Sequence, residues 1–300
     1  MVSGRGTLAR PLPALHDPEG DRVPGDLPPV IDAHVHVFPD RLFAAVRSWF
    51  DVHGWPIRHR LTAADAVRFL LDRGVAHLVL LQYAHRPGIA RELNRFLAEL
   101  VRREPRATGL ATVFPGERGA REILEEAVDL GLRGVKLHAH VQGVPADAAA
   151  TFEVAAFCAE RGLPLVAHFG REPRSPAYPM DPHLICSADR TRRLLEAFPG
   201  LKLVVPHLGA DEFEAHAELL EAFDHVWLDT TMMLAGYFPG LPVPAFTRFR
   251  PDRILFGTDF PNLPYAWDRE LRRLRALGLP PETLERILHR NAREVFGIAA

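Results

Sequence analysis

The chain has 300 residues, 47% of them apolar and 25% charged, so it can bury a large core without disulfides and is too ordinary in composition for global disorder. Its 36 basic and 38 acidic residues leave a formal charge of −2, which removes the electrostatic case for nucleic-acid or membrane-surface binding and points to a small-molecule partner. The two cysteines, Cys158 and Cys186, form no C-x-x-C, and no run approaches 18 apolar residues.

Residues 1–29 are rich in Pro and Gly and lack the apolar centre of a signal peptide, so they read as an extended arm on a cytoplasmic protein. Residues 30–300 read as one domain. VIDAHVHVF, from Val30, is the first strand. A helix follows with Thr62 as N-cap, Asp65 three residues on, an apolar stripe of Val67, Leu70 and Leu71, and a stop at Gly74. Further strands are expected at 77–83, 107–114, 132–138, 163–168, 201–207, 225–230 and 253–259. Helices are expected at 117–131, 147–161, 188–198 and 211–223, and a last one begins with Pro281 in its first turn. Eight apolar strands, most followed by a helix, predict a (β/α)8 TIM barrel, with an open doubly wound sheet as the other architecture of that pattern. There is no G-x-G-x-x-G and no Walker A, so nothing argues for a nucleotide. Long connections at 38–61, 169–187 and 231–252 follow the first, fifth and seventh strands, where barrel lids lie.

Polar residues collect at the carboxyl ends of these strands. Alternation groups Asp32, His34 and His36 on the first and Lys136 with His138 on the fourth, with His140 just beyond. The fifth strand ends in His168, the sixth in His207 and the eighth in Asp259, with Gly257 leaving space beside it. Each alone has an ordinary structural explanation. Jointly they are costly to bury without a shared partner, and a cation satisfies them all. Three His and one Asp suit zinc, manganese, iron or cobalt better than magnesium or calcium, in an open site where a bound water ionises near neutral pH. His207 is then a general acid or base, or a ligand of a second ion. Lys136 has three readings: an anchor for an acidic substrate with His138 as second donor, a carboxylated bridge between two metals, or a partner of Asp32 or Asp259. Arg171, Arg174 and His183, in the long loop after the fifth strand, are candidates for contacting an anion.

Together, Asp32-Ala33-His34-Val35-His36, Gly134-Val135-Lys136-Leu137-His138, His168, Pro206-His207-Leu208-Gly209 and Phe256-Gly257-Thr258-Asp259-Phe260-Pro261 resemble the amidohydrolase superfamily. The closer resemblance is to its amidohydrolase-related branch, which holds aminocarboxymuconate semialdehyde decarboxylase, resorcylate-type decarboxylases and sugar or pyrone lactonases. It covers about residues 30 to 297. It implies His34, His36, His168 and Asp259 as ligands of one divalent ion, zinc or manganese, with His207 and Asp259 moving protons. The leading expectation is a hydrolase: metal-activated water attacks a carboxylate-bearing ester, lactone or amide, and Lys136, His138, Arg171 and His183 hold the substrate. Non-oxidative decarboxylation of an aromatic or unsaturated acid is the alternative. A second ion and association into a homo-oligomer are left open.

Overall fold

A computed structural model of the chain describes residues 14–172, 174–236 and 246–299. Eight parallel strands form the fold: Ile31–His36, His77–Leu81, Ala107–Gly109 continuing past Leu110 as Ala111–Thr112, Val135–Leu137, Pro164–Ala167, Lys202–Val205, Val226–Asp229 and Ile254–Leu255. The third strand is bent: Leu110 N–H still donates to Leu80 O, while Ala111 N–H reaches Gly134 O on the other side. The eighth strand closes on the first. Ala33 N–H donates to Phe256 O at 2.9 Å, Asp259 N–H to His34 O at 2.9 Å and His36 N–H to Phe260 O at 2.8 Å. The result is a (β/α)8 barrel, as the alternation of strands and helices predicts.

The strands are short and buried on both faces, so their side chains split between two clusters. Leu78, Leu80, Leu137, Leu165, Leu203 and Leu228 pack outward with the helices. Ile31, Ala33, Val79, Leu81, Leu110, Val166, Val204 and Leu255 form a separate cluster within the barrel, joined by Ala292, Val295 and Phe296 of the last helix. The first strand departs from simple alternation, because its register shifts between Asp32 and Val35. Ala33 belongs to the interior cluster, yet both histidines after it reach the barrel mouth. A bulge, not an unbroken i, i+2 pattern, aims them there.

Several helix signals are realised as written. Thr62 Oγ1 accepts from Asp65 N–H at the start of Ala63–Asp72, and Gly162, in the left-handed region, ends Ala149–Arg161. Among the described residues, three helices of eight or more residues went unassigned in the sequence. Segment 38–61 is not an irregular lid: it carries the 14-residue helix Asp40–His53. Ala90–Arg103 and Arg269–Ala276 complete the outer layer. Of the expected arm, residues 1–13 lie outside the described residues. Residues 14–29 run along the barrel surface, where Glu19 pairs with Arg58 at 2.8 Å and His59 at 2.9 Å, and Trp267 Nε1–H donates to Gly20 O. Of the connection 231–252, residues 237–245 lie outside the described residues. No described helix is long and apolar enough to cross a membrane.

Candidate metal centre

The strand ends bring one compact set of lone pairs together. His34 Nδ1–H donates to Asp229 Oδ2 at 2.8 Å, which leaves His34 Nε2 unprotonated and facing the barrel axis. That nitrogen lies 3.2 Å from His36 Nε2 and 3.5 Å from Asp259 Oδ1, and His36 Nε2 is 3.0 Å from the same oxygen. All three residues are buried. His34 Nε2, His36 Nε2 and Asp259 Oδ1 thus converge in a buried cradle whose donor types fit a divalent cation. The backbone makes room for it. A Cβ at Gly257 would meet Thr231 Oγ1 at 2.4 Å and His34 Cβ at 2.8 Å, so only glycine lets the eighth strand approach this closely. His207 and Asp259 both hold positive φ, 57° and 76°, a strain commonly found at functional sites.

Burial drives His34 down to about 4, with Lys136 adding to the effect, so it is neutral and ready to ligate. Burial opposes the charge of Asp259, but His36 and His34 outweigh it and hold the carboxyl well below the usual range. Asp229 is likewise lowered to about 2 against its burial, chiefly by His34. Asp32 behaves differently: burial raises it to about 7, and its Oδ2 accepts from Thr258 Oγ1–H at 2.6 Å, tying the first strand to the eighth.

His168 does not join this cradle. Its Nε2 lies 2.7 Å from Glu172 Oε1, in a second group with His140, whose Nδ1 is 3.4 Å from Glu172 Oε2. His207 stands between the groups: its ring centroid is 4.5 Å from that of His168 and 5.8 Å from that of His34. Its Nδ1–H donates to Thr231 O at 2.9 Å, and its Nε2 lies 3.7 Å from Glu172 Oε1. Lys136 is fully buried, and its Nζ has no hydrogen-bond partner. Burial pushes it down to about 8, against the pull of Asp229, Asp259 and Glu172.

Two of the loop residues expected to hold substrate are engaged by other carboxylates: Arg171 by Asp211 at 3.1 Å and Glu212 at 3.2 Å, and Arg174 by Asp181 at 2.8 Å. His183 sits in the short helix Pro182–Ile185, with its N–H on Asp181 Oδ1. The member of that loop that does enter is Glu172, which the sequence reading passed over, as it did Asp229. A strand-end carboxylate in VWLD was the available signal for Asp229. His138 meets the site by its ring, stacked on His168 at 4.3 Å.

Beside the cradle opens a cavity of about 240 Å³ walled by Phe38, Val46, Trp49, Phe50, Tyr83 and Tyr178, with His85 and His138 at its edge. Phe38 stacks over His36 at 6.1 Å, so the cavity and the donor set share a wall.

The amidohydrolase family profile matches residues 31–298. The chain belongs to the amidohydrolase family. This amidohydrolase is accordingly an enzyme whose buried donor groups are suited to binding metal. Its fold is similar to that of 5-carboxyvanillate decarboxylase from Sphingomonas paucimobilis, with a TM-score of 0.67, 19% identity and coverage of 90% of this chain and 99% of that one. It is also similar to 2,6-dihydroxybenzoate decarboxylase from Rhizobium, with a TM-score of 0.66, 19% identity and coverage of 90% and 98%. A third structure is dihydroxybenzoic acid decarboxylase from a Polaromonas species with bound manganese and 2-nitroresorcinol, with a TM-score of 0.65, 19% identity and coverage of 90% and 97%. No curated protein matches the chain by sequence.

Proposed function

We propose that the enzyme is a metal-dependent, non-oxidative decarboxylase of a small aromatic or conjugated carboxylic acid. The observation that carries this reading is the cavity wall. An aromatic slot of about 240 Å³ beside a cationic centre suits a flat apolar ring with one carboxylate. A sugar lactone would leave its hydroxyls unpaired against Phe38, Val46, Trp49 and Phe50. The decarboxylases of similar fold act on aromatic acids, which supports the same choice over the hydrolase expectation.

His34, His36 and Asp259 would hold the ion, and when bound it supplies a Lewis acid that orients and polarises the substrate's oxygens. Lys136 offers an ammonium with its hydrogen-bonding capacity unused, and it steers the carboxylate toward the donor end. Asp259 is held ionised and is a poor acid, so His207 moves the proton. With Nδ1–H fixed on the Thr231 carbonyl, a proton on Nε2 transfers to the ring carbon that bears the carboxylate. The carbon–carbon bond then breaks, its electron pair returns to the ring, carbon dioxide leaves, and water reprotonates His207. Tyr83, Phe38 and Trp49 exclude water from the ring.

Metal-replete protein assayed on dihydroxybenzoates and hydroxy-methoxybenzoates should release carbon dioxide, lose that activity to a chelator and regain it with manganese or zinc. Turnover of lactones or carboxylate esters without carbon dioxide release from any acid would overturn the reading in favour of hydrolysis.

A further inference from the structure

We infer that Glu270 is a positioning residue for His207: it clamps the turn leaving the seventh strand, so that the Thr231 carbonyl holds the His207 ring hydrogen on Nδ1. The inference rests on the role proposed above for His207. The turn runs from Thr230 to Met233 and is closed by Met233 N–H donating to Thr230 O at 2.8 Å. Within it Met232 holds a φ of 62° and Thr231 does not take a positive φ, the pattern of a type II turn. Such a turn ordinarily carries Gly or Asn at its third position, because a larger side chain crowds the backbone there. Flipping the single peptide between Thr231 and Met232 would make a type I turn and return Met232 to negative φ. It would also swing the Thr231 carbonyl away from His207 Nδ1, which it meets at 2.9 Å. The strained form of the turn and the His207 hydrogen bond therefore stand or fall together.

Two carboxyl groups hold that form from either side. Asp229 Oδ1 accepts from Thr231 N–H at 3.2 Å and from His207 N–H at 3.1 Å, fixing the entry. Glu270 Oε1 accepts from Leu234 N–H at 3.1 Å and its Oε2 from Ala235 N–H at 2.8 Å, so both oxygens fasten the exit. The Thr230 hydroxyl bonds Glu270 as well, and it meets the carbonyl and the N–H of Gly257, each at 3.3 Å. One side chain thus ties the ends of the seventh and eighth strands to the first turn of helix Arg269–Ala276. Glu270 is buried, and among the described residues it makes no ion pair. A buried acid without a cation is costly to keep, and every hydrogen bond it makes goes to this turn or its first residue. Burial pushes its carboxyl well above the usual range, with Asp229 adding to the effect, so glutamine is a close mimic of the form it takes.

The test reads the His207 ring directly and then its consequence for turnover. In zinc-loaded protein labelled with nitrogen-15 at histidine, NMR reports which ring nitrogen of His207 carries hydrogen, with His207→Gln assigning the signal. Wild type should show the Nδ1–H tautomer. Folded Glu270→Leu should lose that signature, because a ring without its acceptor is free to carry the hydrogen on Nε2. Its kcat on the acid that wild type decarboxylates should fall roughly 10–100-fold, with KM and metal content nearly unchanged. Glu270→Gln should lose less of both. Adding Met232→Gly to Glu270→Leu should restore part of kcat and of the Nδ1–H signal, since glycine favours the type II form without the clamp; an acid that merely stabilised the fold would not be rescued in this way. A folded Glu270→Leu with unaltered tautomer, or with lowered kcat and the Nδ1–H signal intact, would overturn the inference. If wild type decarboxylates no acid, that result counts against the proposed reaction, and the tautomer alone decides the clamp. If neither Glu270 variant folds, wild type decides: a His207 Nδ1–H with Leu234 and Ala235 amides as protected from hydrogen exchange as those of the seventh strand supports the clamp, and rapid exchange at either amide or hydrogen on Nε2 alone overturns it.

Discussion

The barrel mouth has two halves of opposite character. One presents His34, His36, Lys136, His207, Asp229 and Asp259, all carried on the strands or just beyond their ends. The other presents Val46, Trp49 and Phe50 from helix Asp40–His53 and Tyr178 from the loop after the fifth strand. Buried charges need donors held to within a fraction of an ångström, and a closed sheet supplies that rigidity. Recognition of an apolar ring tolerates looser placement and is delegated to segments that can change without disturbing the sheet. Substitutions in the polar half should therefore act on turnover, and those in the aromatic half on apparent affinity.

The largest effect expected from a residue other than a metal donor is at His207. His207→Gln keeps a side chain of similar reach but cannot transfer a proton, so kcat should fall by about 10²–10⁴ with KM and metal content nearly unchanged. An unaltered kcat would move the proton transfer to another group and blur the division between the halves.

Lys136 sharpens the comparison because it opposes stability to function. Its pKa in the folded protein is about 8, below the ordinary lysine value, so folding disfavours its charged form. The sign follows: the penalty is fully present below pH 8 and fades as pH rises toward 10.5, where the unfolded chain also loses the proton. Lys136→Met should stabilise the metal-free protein by on the order of 3 kcal/mol at pH 7, read by denaturant unfolding. It should also raise KM for carboxylate substrates by roughly 10–100-fold. In wild type KM should climb above pH 8 as the ammonium is lost. A KM flat across that range would remove Lys136 from substrate binding.

The same division explains what could be read from the amino-acid sequence. Strand-borne candidates stand out because a polar residue closing an apolar run has few structural excuses; His34, His36 and Asp259 were singled out this way and lie together in the structure, and Asp229 carried the same signal in VWLD. Even there plain alternation is not what aims the histidines, since the register shifts between Asp32 and Val35. Glu172 was not legible. Nothing local separates it from Arg171 and Arg174 on either side, and only the fold turns one inward while the others find Asp211, Glu212 and Asp181 at the surface. His168 reaches the mouth, but its Nε2 faces Glu172 and not the first-strand histidines, because spacing along the chain carries no angle around the barrel. Helix Ala90–Arg103 did carry a signal, with Ala90, Leu93, Leu97 and Ala98 on one buried stripe.

The smallest effect is the one that isolates the aromatic half. Trp49 stacks on Tyr178 at 5.7 Å with 30° between the rings, joining the helix after the first strand to the loop after the fifth across the cavity. Trp49→Ala removes one wall of the slot but touches no donor, so kcat and metal content should stay near wild type. KM for an aromatic acid should rise about tenfold, the equivalent of roughly 1.4 kcal/mol. A conjugated but non-aromatic acid, too small to reach Trp49, should show almost no change, and that contrast distinguishes lost stacking from general loosening of the mouth. If kcat falls instead and KM holds, the Trp49–Tyr178 stack is positioning the polar half through Glu172, which Tyr178 Oη approaches at 3.5 Å, and the two halves are mechanically one.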